Sequence, residues 1–287
     1  AGADVMLGGT GNDLYVVDSI GDVANETAGD GIDTVNSSIA FNLSDALHAI
    51  DQIENLTLTG AAAINGTGNA LANTINGNSG VNILAGLGGA DTLNGGLGVD
   101  TATYAASLAG VSVSLHTGLG SDGDAEGDTL SAIENLTGSN LDDILEGNGG
   151  TNVLNGGLGV DTLSYEHALA GIRVNLALTT AQATGGAGSD RLAGFENLSG
   201  SAFNDTLTGS VGGNVLTGLA GNDTLNGGAG ADTLIGGLGN DILTGGIDSD
   251  TFDFSFLTDG ADVVTDFVTG VDHVNLASLL VSLGLDG

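Results

Sequence analysis

The sequence predicts an all-β repeat fold, and three observations point to it. Glycine is far in excess, at 53 of 287 residues, where ordinary domains hold about 7%. Pro and Cys are both absent and no G-X-Y period runs through the chain, which excludes collagen and disulfide-stapled scaffolds. An acidic or amide residue recurs every nine positions, with an apolar residue two places after it. A fixed short period of this kind is the mark of stacked repeats.

The period is clearest from Asp205, through Asn214, Asp223, Asp232, Asp241 and Asp250, followed at the same offset by Leu207, Leu216, Leu225, Leu234, Leu243 and Phe252. The best copies read GGAGADTLI from Gly227 and GGLGNDILT from Gly236. Each unit is therefore a glycine-rich six and a short strand with one central apolar residue. Shorter runs hold Asn73, Asn82, Asp91 and Asp100, then Asp143, Asn152 and Asp161, then the pair Asp4 and Asp13. Isolated copies end on Asp33, Asp128 and Asp190. A longer repeat overlies these, because IENLTGSNLDD from Ile133 parallels FENLSGSAFND from Phe195, with IENLTLTG from Ile53 as a third relative.

Four regions follow in order. Residues 1–72 hold degenerate repeats and longer strands, with a short helix expected over Asp45 to Ile53, where Leu47, Ile50 and Ile53 have helical spacing behind a Ser44 cap. Residues 73–204 form an interrupted repeat region with two related segments. There Thr101 to Tyr104, Val111 to Leu115, Leu163 to Tyr165 and Ile172 to Leu176 alternate apolar with small or polar residues, as strands of the same stack joined by longer turns do. Residues 205–252 are the regular repeats. Residues 253–287 are a capping segment, since a stack of repeats needs its open end covered; Phe252, Phe254, Phe256, Phe267 and Val274 supply bulk, and LASLLVSLGL is a second helix candidate.

Charge narrows the function. With 2 Lys+Arg against 36 Asp+Glu the net charge is −34, which repels nucleic acid and anionic membrane surfaces and attracts cations. A hydrophobic fraction of 41% and a mean hydropathy of +0.25 exceed what disordered tails carry. No apolar run reaches the roughly 18 residues of a membrane span, and AGADVMLGG lacks the features of a cleavable secretory signal, so the chain begins like a piece of a longer one. The four histidines show no H-E-x-x-H, no G-x-S-x-G is present, and Arg173 and Arg191 are the only cations. A catalytic role for this chain is therefore not expected.

The nonapeptides resemble the RTX (repeats-in-toxin) family, whose repeat is GGxGxDxUx with U apolar. The resemblance implies a right-handed parallel β-roll in which two nonapeptides make one coil and Ca²⁺ sits in the turns. It also implies release from a bacterium, unfolded, through a type I exporter to the outside or the cell surface, and the segment from Asp250 resembles the cap that follows such repeats. The secretion signal is expected beyond that cap.

The residues themselves suit calcium. A six-residue reversal aiming oxygens at one point needs backbone conformations that glycine adopts cheaply. Ca²⁺ takes 6–8 oxygens, readily from carboxylates and backbone carbonyls. With an 18-residue coil, Asp205 stacks over Asp223 and Asp241, and Asn214 over Asp232 and Asp250, about 4.8 Å apart. Two bare carboxylates at about 5 Å repel by roughly 3 kcal/mol at an effective dielectric of about 20, while burying one Leu gains about 1.5–3 kcal/mol. Folding is therefore expected to require the cation. The expected ligands are Asp4, Asp13, Asp33, Asp91, Asp100, Asp128, Asp143, Asp161, Asp190, Asp205, Asp223, Asp232, Asp241 and Asp250. Asn73, Asn82, Asn152 and Asn214 are either ligands or inward hydrogen-bonded residues of a ladder, and Asp266 is a ligand or a solvated turn residue, with Asp262 and Asp272 behind it. Asp122, Asp124, Glu126 and Asp128 resemble half of an EF-hand, but Ile133 stands where that loop needs Glu.

Two functions suit these features. One is a calcium-dependent folding and secretion module of an adhesin, toxin or exoenzyme. The alternative is a non-catalytic polysaccharide-binding or surface-binding tail of a secreted enzyme, against which only 3% of residues are aromatic, with no Trp.

Overall fold

A computed structural model describes residues 2–27, 30–254 and 260–282. The chain divides into two compact units, Ala1–Asp143 and Ile144–Gly287. Both are parallel β-rolls, and their strands are mostly three residues long because the apolar position of the repeat has one polar or small neighbour on each side.

In the first unit Leu14–Val17, Thr34–Ser37, Asn55–Leu58, Thr74–Asn76, Thr92–Asn94 and Thr129–Ser131 lie side by side in parallel. Their register stacks Tyr15, Val35, Leu56, Ile75, Leu93 and Leu130 in one buried column. A facing sheet runs through Phe41–Asn42, Gly66–Thr67, Ile83–Ala85, Thr101–Thr103 and Asn135–Thr137, and Val5–Leu7, Val23–Asn25 and Ala49–Ile50 make a third. Gly66 has no side chain because the methyls of Leu56, Ile75 and Leu84 already fill that space.

The second unit repeats the plan with greater regularity. One column is Leu145, Leu163, Leu198, Leu216, Leu234 and Phe252, and the other is Val174, Leu207, Leu225 and Leu243. Leu207, Leu216, Leu225, Leu234 and Leu243 are all fully buried. The apolar interior is one side chain wide per strand, which places the glycine-rich turns, and the acidic residue that ends each, directly against it.

Three expectations change. Asp45 to Ile53 is not a helix. The Asp45 carbonyl accepts from the amides of His48 and Ala49 in a single turn, and Ala49–Ile50 then pairs with Val23–Asn25, so the sheet takes the backbone groups a helix would need. Val111 to Leu115 contributes the expected strand, Ser112–Ser114, but that strand folds back antiparallel on Leu119–Ser121. Gly118, at φ 69, allows that tight reversal. A second hairpin, Gln182–Gly185 with Gly188–Ala193, occupies the corresponding place in the other unit. Of the expected capping groups, Phe252 is buried in the column and Phe267 leans on its ring at 6.1 Å between centroids, while Phe267 and Val274 stay substantially exposed and Phe256 lies outside the described residues. The C-terminal helix spans Ala277–Ser282, and the rest of LASLLVSLGL lies outside the described residues.

Candidate metal centre

The acidic residue of each nonapeptide stands between a glycine turn and an apolar strand, and its side chain turns inward. Across the regular repeats the relation between coils is the same each time. The amide of Asp205 donates to Oδ1 of Asp223 at 2.7 Å, Asp223 to Asp241 at 2.8 Å, Asn214 to Asp232 at 2.8 Å and Asp232 to Asp250 at 3.0 Å. The 18-residue stacking read from the period is thus present. The carboxylates do not face one another bare, because a backbone amide occupies one oxygen of each.

The second oxygen is the point of interest. Oδ2 of Asp91, Asp100, Asp223 and Asp232 is buried without a hydrogen-bond partner, in residues 0–1% exposed. Burial pushes the Asp223 and Asp91 carboxyls up to about 7 and that of Asp232 to about 6, with neighbouring carboxylates adding to the effect. A methyl added at Gly218 would collide with Asp223 Oδ2 and with the carbonyl oxygen of Gly236, one coil on; Gly227 faces Asp232 Oδ2 and the Gly245 carbonyl in the same way. Gly218 and Gly227 thus each line a cradle of hard oxygens, one carboxylate and one carbonyl from successive coils. That donor set fits Ca²⁺, and Asp91, Asp100, Asp223 and Asp232 with the turn carbonyls are the residues that would hold it. Asp241 and Asp161 take part in the same ladder.

Other predicted residues are arranged differently. Asp128 accepts the Asp91 amide on Oδ1 and the Tyr104 hydroxyl on Oδ2, the latter at 3.0 Å. Asp190 repeats this with the Asn152 amide, Tyr165 at 3.0 Å and Thr184. Asp143 and Asp205 are held by the amides and hydroxyls of Ser139 and Ser201 and by the amides of Val111 and Ile172. Asp266 accepts the Gly245 and Gly246 amides. Asn82 and Asn214 turn their carboxamide nitrogens onto the carbonyls of Ile64 and Glu196, both at 2.5 Å, as Asn73 does onto Glu54 at 3.0 Å. These three carboxamides hydrogen-bond along the ladder, and the backbone amide of Asn152 donates to Asp190. Asp4 is exposed. The half EF-hand does not converge, since Asp122 and Glu126 are exposed around the short 3₁₀ turn Gly123–Ala125 while Asp128 points inward.

Sequence reasoning missed several members of the ladder. Glu54, Glu134 and Glu196 accept the amides of Asp33, Asp100 and Asp161 at 2.8, 2.7 and 2.9 Å. The three ENL triplets were their signal. Asp262 and Asp272, which the sequence reading placed behind Asp266, extend the ladder beneath Asp241 and Asp250 at offsets of 21 and 22 residues, outside any nine-residue register. Asp22 accepts three amides, those of Asp4, Asp18 and Ser19, which hold its carboxyl below the usual range.

Fold and cradle together define a calcium-binding repeat protein, a roll whose turns present buried carboxylate and carbonyl oxygens to a cation. A family model of the RTX calcium-binding nonapeptide repeat (4 copies) matches residues 1–15, 67–102, 128–163, 193–225 and 217–252, together just over half of the chain. The chain belongs to this family. No curated protein matches it.

Proposed function

We propose that this chain is a calcium-dependent folding and secretion module, a non-catalytic part of a bacterial protein delivered outside the cell, such as an adhesin, toxin or exoenzyme. The observation that carries the reading is the row of buried carboxylate oxygens at Asp91, Asp100, Asp223 and Asp232 that no protein group meets. Desolvating a charge without a partner is costly, so the calcium-free coil is disfavoured at neutral pH. Binding of the ion to the folded coil alone makes binding energy folding energy. Extracellular calcium sites commonly work at about 10⁻⁴–10⁻³ M, so such turns stay empty in a cytosol poor in free calcium and fill outside. An exporter that needs an unfolded chain is served by this order of events, and folding on emergence opposes return.

Circular dichroism of the chain in EGTA and then in millimolar Ca²⁺ tests the reading. A large gain of β signal on adding calcium is expected, and the same spectrum in both conditions would overturn it.

A further inference from the structure

The first unit holds an acidic group that the nonapeptide pattern does not specify. Glu26 follows the strand Val23–Asn25, seven positions before Asp33, and is only 3% exposed. Its Oε2 takes the Tyr15 hydroxyl, and its Oε1 is buried with no hydrogen-bond partner. Asp13 Oδ2 is likewise buried and unpartnered, while Asp33 uses Oδ1 to accept the Asp13 amide at 2.8 Å. One carboxylate oxygen each from Asp13, Glu26 and Asp33 lies within 4.8 Å of the others. Oxygens sharing one Ca²⁺ at about 2.3–2.6 Å cannot be more than about 5.2 Å apart, and this trio meets that limit.

At Gly218 the cradle is shared by Asp223 Oδ2 and a glycine carbonyl of the next coil. At Gly8 the corresponding space is bounded by Asp13 Oδ2, the Tyr15 hydroxyl and Glu26 Oε2. A charged side-chain oxygen has taken the place of a neutral backbone one. Asp30, Asp51 and Glu54 line the hollow beside Glu26 and Asp33, so anionic charge surrounds the approach as well.

We infer that Asp13, Glu26 and Asp33 form a cation site of three carboxylates that binds Ca²⁺, or a trivalent lanthanide in its place, more tightly than the glycine-turn sites. Charge count and rigidity of the ligand set are what tune calcium affinity, and this trio carries one more formal charge than a pair of stacked Asp residues. The inference rests on the reading of the chain as a calcium-binding roll.

The test uses the whole chain, folded in excess Ca²⁺ and titrated with sub-stoichiometric Tb³⁺. Tyr15 touches Glu26, and the chain has 3 Tyr and no Trp, so ultraviolet excitation of Tyr15 sensitises terbium bound there. The Tyr15→Phe variant isolates that component from any contributed by Tyr104 and Tyr165. A Tyr15-dependent emission is expected at the first additions of Tb³⁺, falling about tenfold or more in Glu26→Gln, as expected from loss of a ligand charge. Glu26→Asp, which keeps the charge and shortens the reach, should restore part of it. Circular dichroism of each variant in Ca²⁺ reports folding separately. Equal emission in wild type, Tyr15→Phe and folded Glu26→Gln would overturn the inference while leaving the calcium-dependent fold standing; absence of any calcium-induced β structure would instead remove the reading beneath it.

Discussion

The amide of Asp205 donates to Oδ1 of Asp223 at 2.7 Å, while Oδ2 of Asp223 is buried and meets no partner. One carboxylate therefore has two tasks. Half of it ties successive coils together through a hydrogen bond from a backbone amide, and the other half is left for a cation or a proton. This division explains why the fold and its ion belong together.

The proton can take the ion's place. Buried Asp223 and Asp91 hold their protons up to about pH 7, and Asp232 to about 6, whereas an unfolded Asp loses its proton near pH 3.9. Between those values the folded state binds more protons than the unfolded one, so the stability of the calcium-free roll falls as pH rises from about 4 to 7. In EGTA, circular dichroism should show more β structure at pH 5 than at pH 8. The reverse order would show that these carboxyls are not what keeps the calcium-free chain unfolded.

Glycine positions should separate by what a methyl would strike. Gly218→Ala overlaps Asp223 Oδ2 and the Gly236 carbonyl oxygen, whereas a methyl at Gly212 meets nothing within 4 Å. Denaturant unfolding in calcium should show Gly218→Ala less stable by about 1–3 kcal/mol or more, and Gly212→Ala changed by less than about 1 kcal/mol. The first substitution should also raise the calcium concentration needed for folding.

Asp223→Asn and Asp205→Asn should differ in kind. The second oxygen of Asp223 is bare, while both oxygens of Asp205 are already hydrogen-bonded by Ser201 and the Ile172 amide. Metal analysis after equilibrium dialysis should find fewer bound calcium ions in Asp223→Asn and an unchanged number in Asp205→Asn. An equal loss in both variants would mean that hydrogen bonding does not decide which turns take an ion.

Tyr104 and Tyr165 close their turns with a phenol. Each hydroxyl donates to a ladder carboxylate, Asp128 or Asp190, at 3.0 Å. Tyr104→Phe leaves a buried Asp128 oxygen unmet, at a cost of about 1–3 kcal/mol in calorimetric unfolding with calcium present. Tyr165→Phe should cost less, because Thr184 also reaches Asp190 Oδ2.

The period, the inward apolar column and the in-phase acidic residue are legible in the amino-acid order, because each follows from local chemistry repeated at a fixed step: glycines that permit the turn, one Leu per strand, one Asp per bend. Stacking at 18 residues from Asp205 to Asp223 was legible for the same reason. Which carboxylates keep a bare oxygen emerges only in the folded chain. Tyr104 lies 24 residues from Asp128 and Tyr165 lies 25 from Asp190, and hairpins with no place in the period bring them together. Glu54, Glu134 and Glu196 enter the ladder from coils of irregular length, where the extra methylene of Glu reaches a point that no nine-residue count marks. A repeat encodes contacts at its own spacing, and whether a buried oxygen finds a hydroxyl or waits for a cation depends on neighbours from other coils, which only the folded chain supplies.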